Sequence, residues 1–120
     1  MKTTIAGIAI ASALAAGTAS AACEMPSLVA AIPDGATATE QQLLAAQTSV
    51  RDYVAAMDRY IACQNQELAA QGTNATAHFL YLMSTRIESA RKEVDAVATR
   101  FNDQVSAFRT AQPGVSFPPR

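Results

Sequence analysis

Apolar residues recur every seven positions along two long stretches of this chain. In the first stretch Leu43, Val50 and Met57 form one row. A second row follows four residues further on and consists of Gln47, Val54, Ile61 and Leu68. This spacing places both rows on one face of an α-helix, and Tyr53 and Tyr60 widen that face. Because residues 39 to 71 contain no Gly or Pro, the pattern predicts one uninterrupted helix.

The second stretch repeats the same heptad pattern. Its first row consists of Leu80, Ile87, Val94, Phe101 and Phe108, and its second row of Met83, Ala90 and Val97. Pro113-Gly114 follows, so we predict that this helix ends at about Thr110 or Ala111.

Capping signals define where the first helix begins. Thr37-x-x-Glu40 and Thr39-x-x-Gln42 are overlapping capping boxes, which predict a helix start within a residue or two. Before them, Pro33-Asp34-Gly35 is a turn sequence, because Pro presets φ and Gly accepts a positive φ.

The break between the two stretches is short. Gln71-Gly72-Thr73-Asn74 interrupts the pattern, and Gly72 is expected at the C′ position in a left-handed conformation. The next helix is then capped by Thr73, Asn74 or Thr76. Two long helices joined by so short a connection must be antiparallel neighbours. The predicted fold is therefore all-α: a coiled-coil-like antiparallel two-helix hairpin. A hairpin has little interior and needs a staple, a third element or a partner, such as a second copy completing a four-helix bundle.

The N-terminus has the layout of a bacterial secretory signal peptide. Lys2 precedes an apolar stretch, and Ala19-Ser20-Ala21 is a typical cleavage site. The alternative is an uncleaved anchor, although the apolar run is short for a membrane span. We expect a signal peptide over 1–21, an extended N-terminal arm over 22–36, the helical hairpin over 37–111 and an extended tail over 112–120. The expected location is periplasmic or secreted, with no integral span in the mature chain.

The charge composition argues against nucleic acid as a partner. Without Lys2 the chain has eight basic and ten acidic residues, so no basic surface for nucleic acid is expected. Trp is absent, and the core must rely mainly on aliphatic side chains.

The two cysteines, Cys23 and Cys63, are candidates for an intramolecular disulfide, which an exported context favours. Lipidation of Cys23 is an alternative, but Ser20 occupies the position three before it, where lipoprotein signals usually carry an aliphatic residue. Intermolecular bridging or free thiols is a third possibility.

A stripe of small residues on the first helix supports the intramolecular disulfide. The stripe consists of Thr48/Ser49, Ala55/Ala56, Ala62/Cys63 and Ala69/Ala70, again seven apart. Another backbone can approach such a surface closely, so we expect residues 23–33 to run along it, antiparallel to the helix. The alternative is that the alanines merely raise helix propensity.

One resemblance extends over about residues 23–70. It is carried by Cys23-x-x-Pro26, the segment Ile32-Pro33-Asp34-Gly35-Ala36, and a helix with Tyr53, Tyr60, Cys63 and Glu67. In this order the chain resembles small uncharacterised exported proteins of proteobacteria. The resemblance implies paired cysteines and a helical hairpin, and it brings no activity with it.

The sequence offers few groups for chemistry. His78 is the only histidine and is expected to be exposed near the hairpin tip, whereas a metal site needs several converging ligands. Met25, Met57 and Met83 are better explained as core filler than as copper ligands. The carboxylates are spaced like surface charges. We expect no catalytic residues, no metal and no cofactor.

The second helix has more apolar residues than one partner helix covers. The predicted interaction face consists of Phe79, Leu82, Phe101, Val105 and Phe108. Either the arm and the tail, with Val115 and Phe117, cover this face, or a second copy does, or it forms a groove for a peptide or lipid. The expected protein is exported, non-enzymatic and acts through helix-face contacts, as an envelope adaptor, chaperone-like factor or assembly subunit. Its expected partner is a second copy or an envelope protein. The alternative is a small carrier that binds an apolar ligand or peptide between its helices.

Overall fold

Two long helices dominate the computed structural model, which describes residues 23–27 and 31–118. Helix α1 spans Glu40–Gln71, a short 3₁₀ turn spans Gly72–Asn74, and helix α2 spans Ala77–Ala111. At 1.5 Å per residue the helices are about 48 and 52 Å long. They pack against each other as an antiparallel hairpin, and the described segments contain no strand. The predicted all-α hairpin is confirmed. The predicted signal peptide lies outside the described residues.

The second of the two predicted capping boxes starts α1. The Gln42 backbone N–H donates to the Thr39 hydroxyl at 3.2 Å, and the Thr39 N–H donates to Gln42 Oε1 at 2.8 Å. Thr37 instead belongs to the preceding turn, where its hydroxyl donates to the Asp34 carbonyl at 3.4 Å. At the start of α2, the Thr76 hydroxyl accepts the Phe79 N–H at 3.1 Å. Each helix therefore begins at a threonine that the sequence offered as a cap.

The end of α1 differs in detail from the prediction. Gly72 has φ 49° and ψ −131°, and its N–H donates to the Ala69 carbonyl. The positive φ explains why glycine stands there, but the ψ value lies outside the left-handed helical region. The chain passes directly into the 3₁₀ turn instead.

The interface between the helices keeps the predicted first row of α1, but its second row is the one that contains Tyr53 and Tyr60. The buried residues of α1 are Leu43, Val50, Met57 and Gln64 in one row, and Ala46, Tyr53 and Tyr60 in the other. The predicted second row, which includes Val54 and Ile61, is only half-buried. The helix is thus rotated towards its tyrosines, whose rings bury more apolar area than the aliphatic side chains four residues after the first row. The rows of α2 are largely as predicted, with Met83, Ala90 and Val97 buried.

The open end of the hairpin is covered by the chain's own tail. Phe117 is 5% exposed, and its ring packs edge-on against Phe108 with the ring centroids 5.9 Å apart. The Arg109 guanidinium donates to the Phe117 carbonyl at 2.6 and 3.2 Å, which fixes the tail against α2. Gln112 donates its side-chain amide to the Ala38 carbonyl at 3.2 Å, which joins the end of α2 to the segment before α1.

The turn before α1 is anchored to α2 through Gly35. Its backbone N–H donates to Gln104 Oε1 at 2.8 Å, and the residue is buried. A Cβ atom at Gly35 would collide with the backbone carbonyl of Gln104. This position therefore needs glycine because the two backbones lie too close for a side chain.

We expect Gly35→Ala to lower the free energy of unfolding by about 1–3 kcal/mol, the cost typical of overpacking a tight contact. Gly114→Ala is the matched control, because a Cβ there meets no atom within 4 Å. Urea unfolding followed by circular dichroism compares the two variants. Equal stability of the two variants would contradict the close approach of Gly35 to α2.

Candidate functional site

The disulfide joins the N-terminal arm to the C-terminal third of α1. Cys23 and Cys63 form the bond with their Cα atoms 5.8 Å apart, and both residues are half-buried. The predicted intramolecular pairing is confirmed, and it uses both cysteines of the chain.

The arm runs antiparallel to α1 along the small-residue stripe. After Cys23, the residues Pro26 and Ser27 line one surface depression with Ser49 and Ala56. Further along, Ala31 and Pro33 line another with Gln42, Ala45, Ala46 and Ser49. Ile32 is half-buried and packs against the core. The described parts of the arm thus lie along α1 from Cys63 towards the start of the helix, as predicted. Leu28 and Val29, two of the expected packing residues, lie outside the described residues.

The five residues of the predicted interaction face do not form one exposed surface. Phe101, Val105 and Phe108 are buried in the core, with Phe108 fully inaccessible. All three belong to the buried core of the hairpin, and Phe108 also contacts Phe117 of the tail, so none of them is available for an external contact. Phe79 is half-buried and Leu82 is 37% exposed, so the exposed apolar surface lies at the other end of α2.

That exposed surface surrounds the hairpin tip. Leu80 is 45% exposed and Tyr81 is 67% exposed, next to Leu82. Among the described residues the only other large apolar side chain this exposed is Met25, on the arm. We define the tip surface as Phe79, Leu80, Tyr81 and Leu82. The heptad pattern predicted that Leu80 lies in the interface between the helices. Leu80 is exposed instead, because it lies near the end of the hairpin where α1 stops. The tip surface therefore extends beyond the part of α2 that other segments cover.

The tip carries no formal charge from Asp, Glu, Lys or Arg. None of these residues occurs between Glu67 and Arg86. His78, in the first turn of α2, is exposed as predicted. Ion pairs elsewhere on the hairpin are surface contacts, such as Lys92–Glu88 at 2.7 Å. Because burial of an ion is costly, an uncharged tip can be covered by another apolar surface without that penalty.

The interior between the helices is filled by side chains. Leu43, Met57 and Met83 are almost completely inaccessible, which confirms core packing for two of the three methionines, whereas Met25 is exposed. Gln64 is a polar exception: it is 1% exposed, and its Oε1 atom has no hydrogen-bond partner among the residues that the structure describes. An unpartnered buried polar atom costs about 1–3 kcal/mol, so Gln64 weakens the hairpin near its tip.

Tyr53 is a buried residue whose hydroxyl has a shifted pKa. Burial raises the pKa of Tyr53; the nearby Glu93 carboxylate raises it further, and the Arg100 guanidinium opposes the shift. A tyrosine with a raised pKa is protonated at neutral pH, so Tyr53 acts as a core residue rather than as a base.

Surface depressions lie along the arm and also between the two helices, where one is lined by Asp58, Ile61, Arg91, Val94 and Asp95. A depression of about 350 Å³ lies between the arm and α1 and is lined by Pro26, Ser27, Ser49, Asp52, Tyr53 and Ala56. In the described part of the chain, neither helix has an apolar run long enough to cross a bilayer.

No protein-family model, no curated protein and no solved structure matches this chain.

Proposed function

We propose that this chain is an exported, non-enzymatic interaction protein that binds an envelope protein through the tip surface of its hairpin. The observation that carries the proposal is the exposure of Leu80, Tyr81 and Leu82 within a segment that has no acidic, lysine or arginine side chain.

The contrast between the two ends supports this proposal. At the open end the chain uses its own tail to cover Phe108, and a hydrogen bond from Gly35 to Gln104 holds the turn against α2. At the tip no described segment covers the apolar side chains. Clustered apolar side chains left exposed in this way mark contact surfaces, and tyrosine is a frequent anchor at such contacts.

The chemistry of the tip indicates the kind of partner. An uncharged apolar knob fits a concave apolar surface, such as a groove between two helices. Because no ion pair contributes, we expect the affinity to change little between low and high salt. A second copy pairing through the predicted face is disfavoured, because Phe101, Val105 and Phe108 are already buried within one chain.

Export is the second part of the proposal. The sequence pattern of residues 1–21 supports it, and so does the disulfide, since disulfides persist in oxidising compartments.

The double substitution Leu80→Ser/Tyr81→Ser tests the tip directly. Tagged protein purified from the native envelope should retain its partner at both low and high salt, and the tip variant should retain at least tenfold less, because it loses two anchors of about 1–2 kcal/mol each. Met25→Ser is the control, since Met25 is also a large apolar side chain and is 54% exposed, but it lies on the arm.

Two control measurements are needed to interpret the result. Circular dichroism should show unchanged helicity in both variants, and light scattering should show a monomeric wild-type chain. Equal partner recovery by the tip variant and the wild type would overturn the proposal. A wild-type dimer that the tip variant converts to monomer would replace the envelope partner with a second copy.

A further inference from the structure

We propose that reduction of the disulfide converts the arm's attachment point into a Zn²⁺ site formed by Cys23, Cys63 and Glu67. The two sulfur atoms and one carboxylate oxygen of Glu67 all lie within 4.8 Å of one another. All three residues are half-buried, so the donors are partly shielded but can be reached from solvent. This site is separate from the tip surface, and it forms only under reducing conditions, whereas the disulfide persists in the oxidising compartment of the proposed function.

The three donors lie near enough to one another to reach the spacing that zinc requires. Zinc binds thiolate sulfur at about 2.3 Å and carboxylate oxygen at about 2.0–2.2 Å in tetrahedral geometry, which places neighbouring donors about 3.5–3.8 Å apart. The sulfur atoms, no longer bonded after reduction, need only move apart by a short distance. Two thiolates and one carboxylate suit zinc better than magnesium or calcium, which prefer oxygen ligands alone. A water molecule completes the fourth position.

Two of the three donors are already arranged by α1. Cys63 and Glu67 are four residues apart, so their side chains project from the same helix face one turn apart. The third donor, Cys23, lies on the extended arm, which can adjust to the metal geometry. The hydrogen bond from Gly35 to Gln104 keeps the root of the arm attached after reduction, so Cys23 remains at a high effective concentration near Cys63.

The chemical step is a two-electron exchange followed by metal binding. A dithiol reductant donates two electrons and two protons, the Cys23–Cys63 bond breaks into two thiols, and the dithiol becomes a disulfide. Zn²⁺ then binds the two cysteines as thiolates and releases their two protons to solvent. The arm is thus held by a disulfide under oxidising conditions and by zinc under reducing conditions, and the two states exclude each other.

Zinc titration of the whole chain tests this proposal. The protein is reduced with a phosphine, and Zn²⁺ is added against a chromophoric chelator, with native mass spectrometry reporting stoichiometry. We expect one zinc per reduced chain, no binding to the oxidised chain, and an increase in the melting temperature of the reduced chain on adding zinc. Glu67→Ala should weaken the affinity at least tenfold, and Glu88→Ala is the matched control, because Glu88 pairs with Lys92 on the surface of α2.

Three outcomes would overturn the site. In the first, the reduced wild type binds zinc no more tightly than the Cys23→Ser/Cys63→Ser variant. In the second, Glu67→Ala binds zinc as tightly as the wild type. In the third, one zinc ion bridges two chains. The double cysteine variant also shows whether loss of binding reflects unfolding, because its helicity is measured in the same samples.

Discussion

Replacing both cysteines by serine is expected to lower the free energy of unfolding by about 4 kcal/mol, the chain-entropy value for a loop of this length. The bond closes a loop between residues separated by 40 positions. Small domains are stable by only about 5–15 kcal/mol, so this one link provides a large share of the margin. Urea unfolding of the oxidised wild type and of the double variant, followed by circular dichroism, measures the difference.

The reduced wild type is the control for this comparison. It should unfold at the same urea concentration as the double variant in a metal-free buffer, because both lack only the covalent link. If the double variant and the oxidised wild type unfold at the same urea concentration, the attachment of the arm to α1 does not stabilise the fold. That result would contradict the stabilising role given to the disulfide.

Phe108→Ala is expected to lower the free energy of unfolding by about 3–5 kcal/mol, as is typical when a buried phenylalanine is truncated. Phe108 is fully inaccessible and forms the contact between α2 and Phe117 of the tail. Its removal leaves a cavity and also releases the tail. The same urea unfolding experiment, on oxidised protein, measures the loss.

Two further variants make the result specific. Phe79→Ala removes the same side chain from the half-buried tip surface and should cost clearly less. Phe108→Leu keeps most of the volume and should cost about 1–1.5 kcal/mol. Equal losses for Phe108→Ala and Phe79→Ala would contradict a core centred on the open end of the hairpin.

The heptad pattern was enough to predict the two helices and their antiparallel packing. Thr39 with Gln42 was one of two predicted capping boxes, and Thr76 was one of three predicted caps. The helix starts were therefore predicted to within a few residues, because a capping side chain acts within one helical turn. The rotation of α1 was not predictable in the same way. Apolar residues lie both three and four positions after the first row, and only packing against α2 decides which row is buried.

Most of the structural features that the heptad pattern did not predict are contacts between segments that are distant in sequence. The bond from Gly35 to Gln104 joins residues 69 positions apart and leaves no local signature. The sequence left open whether the tail, a second copy or a ligand covers Phe108, and the packing of Phe117 decides in favour of the tail.

The tip surface was recognised only in part. Phe79 and Leu82 were among the predicted contact residues, but the same prediction included Phe101, Val105 and Phe108, which are buried. Sequence periodicity identifies an apolar face along the whole helix and cannot show where neighbouring elements stop covering it. In this chain the covering segments lie at the open end, so the exposed part of the face lies at the tip.

A photo-reactive amino acid placed at position 81 tests the central claim most directly. The tip should crosslink to one specific protein in intact cells when Tyr81 is replaced, and the same amino acid at Ser106, exposed near the open end of α2, should give no such adduct. Absence of an adduct at position 81, or adducts of equal yield from positions 81 and 106, would contradict the account that the hairpin binds its partner through the tip.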